Sequence, residues 1–342
     1  MSKTLNVSIE CIKETLHDIL VERGFSEDES SLTSDIFATN AADGILSHSI
    51  IRFPRLVDYI EKGIIRPSVV PKLFASYGAF EKYDAGFGLG TSSAYFCSNR
   101  VCELADKYGV GVVSLRNANH WMRGGYYGLM IADKGNIGIC WTNTMPNMPA
   151  WGAVERNIGN NPLIVSVPSP MDGKHLMVDT SMSQFSYGKI EEARIEGVPL
   201  CVPGGYDSRG NLTTDAAEIE KTWRVLPAGY WKGSSLSILL DAVAAMSAEG
   251  NNVSSIGKGI SEETGLSQVF IAIKVDNEKN EFNSKLIAEI KASINSALPA
   301  NGKGYVRYPG EIAVSLRKNA ETNGINVPET VWNKIIELKK EK

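Results

Sequence analysis

Apolar residues recur every three or four positions over residues 8–23. Ile9, Ile12, Leu16, Ile19 and Leu20 fall on one stripe, which predicts an amphipathic helix stopped by Gly24. Ser26 with Glu29 has the spacing of a capping box and predicts a second helix through Leu32, Ile36 and Phe37, ended by Gly44. A third helix is expected over 53–62, with Pro54 in its first turn and Gly63 at its end. This opening helical unit is too thin to stand alone and must pack on something larger.

From Pro71 the pattern changes to strands alternating with helices. Tyr95, Phe96, Val101, Cys102, Leu104 and Ala105 give a helical period over 92–107. Strands are expected at 110–115, 137–141, 163–167 and 176–178, and 268–276 alternates most cleanly of all. Residues 203–214 read as a long surface loop. Residues 234–248 predict a helix too apolar to lie at the surface. Two last helices fall near 282–297 and 328–338. Helices first and mixed elements later indicate an α/β (α+β) fold without internal repeats.

The chain has 342 residues, beyond the roughly 250–300 at which a single core stops growing, so two lobes are expected. A hydrophobic share of 43% and a charged share of 22% are those of a globular protein. The net charge of −4, without a basic patch, argues against a nucleic-acid partner. No apolar run is long enough to span a membrane, and the polar first residues do not resemble a signal peptide. The 5 cysteines are odd in number and form no C-x-x-C, so reduced thiols and a cytoplasmic setting are expected.

The stretch from Leu115 to Gly128 concentrates reactive side chains. It carries His120, Trp121 and Arg123, with Asn117 and Asn119 before them and Gly124-Gly125 after, following an apolar run from Val110. A proton-transfer group, a cation and amide donors together suit a pocket for a small anionic, carbonyl-bearing molecule. The plain alternative is an aromatic-rich loop around a structural histidine. His48 precedes Arg52 by four residues, so the two share a face if that stretch is helical. The turn DAGFGLGTSS over 84–93 fails the G-x-G-x-x-G spacing, because Thr91 and Ser93 stand where the last glycine is needed. A doubly wound Rossmann domain is therefore not supported. No H-x-x-x-H, H-E-x-x-H or G-x-S-x-G occurs, so neither a metal site nor a hydrolase nucleophile is expected.

Eight segments occur in one order: SHSIIRFPR (47–55), NANHWMRGG (117–125), WTNT (141–144), WGAVERNIGNNPL (151–163), MVDTS (177–181), FSYG (185–188), YWKGSSLS (230–237) and RYPG (307–310). Together they resemble the malate/L-lactate dehydrogenase family of the non-Rossmann type. The resemblance implies a non-Rossmann mixed-sheet domain that holds a nicotinamide cofactor, here 76–304. A helical domain from residues 1–75, joined by 305–342, would cap it. It also implies a homodimer and a small keto-acid substrate. NANHWMRGG, the run ending at Asn143 and GYWKGS (229–234) resemble a subgroup that reduces 2,3-diketo-L-gulonate to 3-keto-L-gulonate with NADH. NADPH as cofactor stays open. So do malate, L-lactate, ureidoglycolate and the cyclic imino acid piperideine-2-carboxylate as substrates. A non-catalytic binding protein is the remote alternative.

By the same resemblance His48 is the proton donor, Ser47 orients it or touches the cofactor, Arg52 takes the substrate carboxylate, and His120 contacts the substrate oxygens. In some relatives the histidine at the last position is the acid, so the division between His48 and His120 stays open. Arg123 is a second anion-binding candidate. The cofactor falls to His175, Leu176, Met177, Val178, Asp179, Thr180 and Ser181, to Trp231 and Lys232, and to Gly310, Glu311 and Ile312. Within these, Asp179 would accept from a ribose hydroxyl and Lys232 would meet the pyrophosphate. Thr142 or Asn143 would bond the carboxamide. The chain departs from the family pattern at Ser49, Asn160, Thr180, Ser235 and Glu311.

Overall fold

A computed structural model describes residues 3–258, 262–276, 280–300 and 302–339. Strand β1 (Thr4–Val7) leads into α1 (Ile9–Val21), α2 (Glu27–Ala42) and α3 (Phe53–Glu61). Ser8 and Ser26 cap the first two helices by accepting the N–H groups of Cys11 and Glu29. The expected box at Ser26 is only half made. The Glu29 carboxylate turns away, accepting from the Ser68 N–H and the Ser92 hydroxyl. Between α2 and α3 the chain makes two short 3-10 turns, Leu46–His48 and Ile50–Arg52.

The second part contains β2 (Lys72–Tyr77), β3 (Phe80–Asp84), α4 (Gly90–Tyr108), β4 (Val110–Ala118), α5 (Gly124–Asp133) and β5 (Asn136–Thr142). The short strands β6 (Met148–Pro149) and β7 (Arg156–Ile158) precede β8 (Leu163–Val167), β9 (Leu176–Thr180) and α6 (Tyr187–Glu196). Residues 203–214 are not a loop but a short hairpin, β10 (Gly205–Tyr206) against β11 (Leu212–Thr213). Helices α7 (Ala216–Thr222) and α8 (Trp231–Ala248) lead to β12 (Leu266–Lys274). The chain closes with α9 (Asn280–Asn295), α10 (Glu311–Asn323), β13 (Ile325–Pro328) and α11 (Glu329–Glu337).

Seven strands form one mixed sheet in the order β2-β3-β4-β12-β5-β8-β9. Only β3 and β4 run parallel; every other neighbouring pair is antiparallel. The strand with the cleanest alternation, β12, lies in the middle and pairs with β4 on one side, with a bulge near Leu266, and with β5 on the other. Helices α4 and α5 cover one face through Cys97, Val101 and Tyr127, which share a core with Phe270 of β12. On the other face Trp141, Leu240, Ala244 and Val269 pack together, and the Trp141 indole donates to the Leu240 carbonyl at 3.0 Å. A separate core joins the first three helices to the chain end: Leu16, Phe37, Phe53 and Val57 pack with Val327, Trp332 and Ile335, and β1 pairs with β13.

The expectation that 234–248 is buried is wrong for the single chain. Leu236, Leu239, Val243 and Met246 are 41%, 62%, 49% and 78% exposed. They recur at helical spacing on the side of α8 turned away from the sheet, so an apolar stripe along it is open.

Candidate active site

The reactive stretch after β4 is shorter than its sequence suggests. Strand β4 runs on to Ala118 and α5 begins at Gly124, so only Asn119 to Arg123 form the turn. Asn117 and Asn119 are not free donors. Asn117 donates to both Asp84 carboxylate oxygens, and Asn119 donates to the carbonyls of Phe87 and Gly88. The glycine-rich turn that fails as a dinucleotide fingerprint therefore has another use: it is the shelf on which the histidine turn rests.

Met122 takes a left-handed backbone conformation at φ 68°, uncommon for a side-chain-bearing residue. That bend returns its N–H to His120 Nδ1 at 2.9 Å. A nitrogen that accepts a hydrogen bond carries no proton, so neutral His120 presents Nε2–H as donor. The ring faces His48, with centroids 5.9 Å apart and planes 27° from parallel. Ser47 Oγ lies 3.0 Å from His48 Nδ1, and a hydroxyl serves either tautomer.

Both imidazoles are held below the ordinary histidine range. Burial is the first cause for His48, followed by the cations of Arg52 and Arg123, and the result is about 4. Burial also leads for His120, followed by Arg52, His48 and Arg55. Arg52 lies on the same small cavity as His120 and Tyr59. Its guanidinium meets Glu263 at 3.1 Å, an acidic neighbour that the sequence did not reveal, since 211 residues separate the two.

Arg123 is not available to a substrate. It is 6% exposed and pairs with Asp43, a carboxylate that also receives Arg317 at 2.7 Å and 2.8 Å. Asn143 is likewise committed inward. It is fully buried, its amide donates to Asp241 and to the Asn251 carbonyl, and its oxygen accepts the Ser267 N–H. The Thr142 hydroxyl donates to the Asn143 carbonyl.

The remaining cofactor candidates converge on the edge strand β9. Gly310 lies against its start: a Cβ there would stand 3.0 Å from the His175 carbonyl, and the Met177 N–H donates to Pro309. The start of α8 lies against its end, where the Ala228 N–H bonds the Met182 carbonyl and Gly233 approaches it closely. Asp179 Oδ2 accepts the Gly125 N–H at 2.7 Å, and burial lifts its carboxyl above the ordinary range. His175 is held by the Ser169 N–H and by Asp133, while Trp231 and Ile312 stand out at 60% and 49% exposure. Glu311 has one carboxylate oxygen, Oε2, buried with no partner among the described residues.

A mixed sheet under a helical cap, with two facing imidazoles and a guanidinium at the seam, belongs to an oxidoreductase of the dehydrogenase type. The chain belongs to the malate/L-lactate dehydrogenase family, whose model matches residues 7–336. It is 43% identical to 2,3-diketo-L-gulonate reductase of Escherichia coli over 334 residues, covering 97% of this chain and 99% of that one. Malate dehydrogenase from Entamoeba histolytica superposes with a TM-score of 0.91 at 26% identity, covering 98% of this chain and 97% of that one. Sulfolactate dehydrogenase from Methanocaldococcus jannaschii gives 0.89 at 27% identity, covering 98% and 96%.

Proposed function

We propose that this enzyme reduces the C2 ketone of 2,3-diketo-L-gulonate to 3-keto-L-gulonate with NADH. The observation that carries the reading is the pairing of His48 with His120 beside Arg52, taken with the 43% identity to a reductase of that substrate. A bound reduced nicotinamide supplies the hydride. The chain supplies the carboxylate grip, the carbonyl donor and the proton.

Arg52 holds the substrate carboxylate. A guanidinium has five N–H donors in a fixed fork, and Glu263 occupies only part of it. His120 donates Nε2–H to a substrate oxygen. It is a poor acid, because full protonation would set its Nδ1 proton against the Met122 N–H. His48 has no such obstacle and is the proton donor. Its value of about 4 describes the site without an anion, where burial first and the Arg52 cation second oppose protonation. A carboxylate on Arg52 offsets that cation and raises His48 from its depressed value, which eases its protonation, while burial still opposes it.

Nicotinamide binding is supported by the convergence of two distant segments, at Gly310 and at the start of α8, on β9. The orphan oxygen of Glu311 is one that a ribose hydroxyl or an amino group would satisfy. Asp179, Lys232 and Gly310 remain the residues for ribose, pyrophosphate and close approach. Thr142 and Asn143 are not retained, because their groups are already bonded. We assign residues 1–71 with 305–342 to the cap and 72–304 to the cofactor domain, because the expected boundary at 75 would cut through β2. The open face of α8 supports a homodimer, and five free thiols support a cytoplasmic setting. No helix among the described residues is long and apolar enough to cross a membrane.

The test is nicotinamide absorbance followed with a panel of keto acids and both cofactors. Preference for 2,3-diketo-L-gulonate with NADH is expected. Far better turnover of malate or L-lactate would move the substrate elsewhere in the family.

A further inference from the structure

Glu263 is a carboxylate that stands directly behind Arg52 and Tyr59, two residues lining the small cavity beside His120. It is 7% exposed. Oε2 accepts from Arg52 Nη2 at 3.1 Å, Oε1 accepts the Met145 N–H at 3.2 Å, and the residue's own N–H donates to Tyr59 Oη at 3.1 Å. The next residue, Thr264, donates its hydroxyl to Asn119 Oδ1 at 2.7 Å and so ties the segment to the histidine turn. The carboxylate is thus fixed from the cap and from the sheet at once.

The charges around it are few. Arg52 is its partner. Arg123 is already matched by Asp43. Arg55 lines the same cavity but is exposed, and its guanidinium is engaged with Tyr59 Oη at 3.2 Å and 2.8 Å. One substrate carboxylate can join Arg52 across from Glu263. A second anion in the cleft would meet Glu263 with no buried cation left to offset it, and in a poorly solvated wall such a contact is costly.

We propose that Glu263 determines substrate specificity: its buried carboxylate admits keto acids with a single carboxylate and turns away those with two. Discrimination by a repulsive group is a common device, because it acts on the wrong ligand and leaves the right one alone. The inference rests on the keto-acid reduction proposed above and sets the charge class of its substrate.

The test is the ratio of kcat/KM for 2-oxobutanoate and oxaloacetate with NADH. The two acids have equal chain length, one ending in methyl and the other in carboxylate. The wild type is expected to favour 2-oxobutanoate by about tenfold or more. Glu263→Asp keeps that preference. Glu263→Gln, similar in size but uncharged, shifts the ratio about tenfold or more toward oxaloacetate. An unchanged ratio in folded Glu263→Gln, with both values lowered together, would mean a structural role only and overturn the inference. A wild type that turns over oxaloacetate as well as 2-oxobutanoate overturns it with no variant needed, even if Glu263→Gln fails to fold. Absence of turnover with these acids and with 2,3-diketo-L-gulonate would instead remove the reading underneath.

Discussion

Gly90 lies directly beneath His120: a Cβ on the glycine would stand 2.3 Å from the His120 carbonyl oxygen and 2.6 Å from that of Asn119. Backbone cannot yield to such contacts as a flexible side chain can. Gly90→Ala is therefore expected to push the histidine turn off its shelf, at a cost of about 1–3 kcal/mol in stability. Activity should fall at least about tenfold, since small displacements of a catalytic group are expensive. Steady-state kinetics with a thermal melt checks this. Full activity in Gly90→Ala would mean that the turn tolerates the shift.

Much of the fold was legible in the sequence, and the misses have physical causes. The helix around Leu16 declared itself by period, those around Phe37 and Val57 by the residues at their starts and stops, and β12 by its alternation. Strand β1 did not, because its partner β13 lies more than three hundred residues away. Helix α5 hid behind Gly124, Gly125 and Gly128, poor helix formers. Two of these glycines are forced by crowding, since a Cβ at Gly124 or Gly128 would strike Ile164. In the site, His48 and His120 could be singled out from the motifs around them. Glu263 and Asp43 could not, because nothing local marks a carboxylate that meets its arginine only through the fold.

The two imidazoles also predict a pH dependence of stability. His48 is depressed from an ordinary value of 6.5 to about 4 in the fold, and His120 is depressed as well. Below about pH 6.5 the unfolded chain takes up protons that the folded chain refuses. Stability is then fully present above that value and is lost as pH falls toward about 4. The melting temperature should drop over this window, and His48→Gln should reduce the drop. An unchanged slope in the variant would show that other groups dominate.

Binding of an anion should relieve the share of that depression that the Arg52 cation causes, though not the larger share due to burial. Oxamate carries one carboxylate and no reducible ketone, so it occupies Arg52 without reaction. Calorimetry in buffers of different ionisation enthalpy should register proton uptake as it binds, and His48→Gln should abolish the uptake. Binding with no proton exchange in the wild type would contradict the coupling between Arg52 and His48.

Asp43 holds the cap to the sheet. Its carboxylate is fully buried and pairs with Arg123 from the histidine turn and Arg317 from α10. Asp43→Ala leaves two guanidiniums without their acid, one of them buried, and should cost about 3–5 kcal/mol. Chemical denaturation measures it. A loss under about 1 kcal/mol would mean that water replaces the carboxylate.

The exposed stripe on α8 predicts an interface. Leu239→Glu places a charge among Leu236, Val243 and Met246, and the variant should run as a monomer where the wild type runs as a dimer. Light scattering of the purified proteins decides it. A monomeric wild type would remove the dimer.

The most direct measurement is the rate of NADH oxidation with 2,3-diketo-L-gulonate by the wild type and by His48→Ala. The wild type should turn over, and the variant should lose at least about 100-fold, or about 2.7 kcal/mol of transition-state stabilisation. A wild type inert toward this acid, or a variant as fast as its parent, would contradict the proposed reaction or the role given to His48.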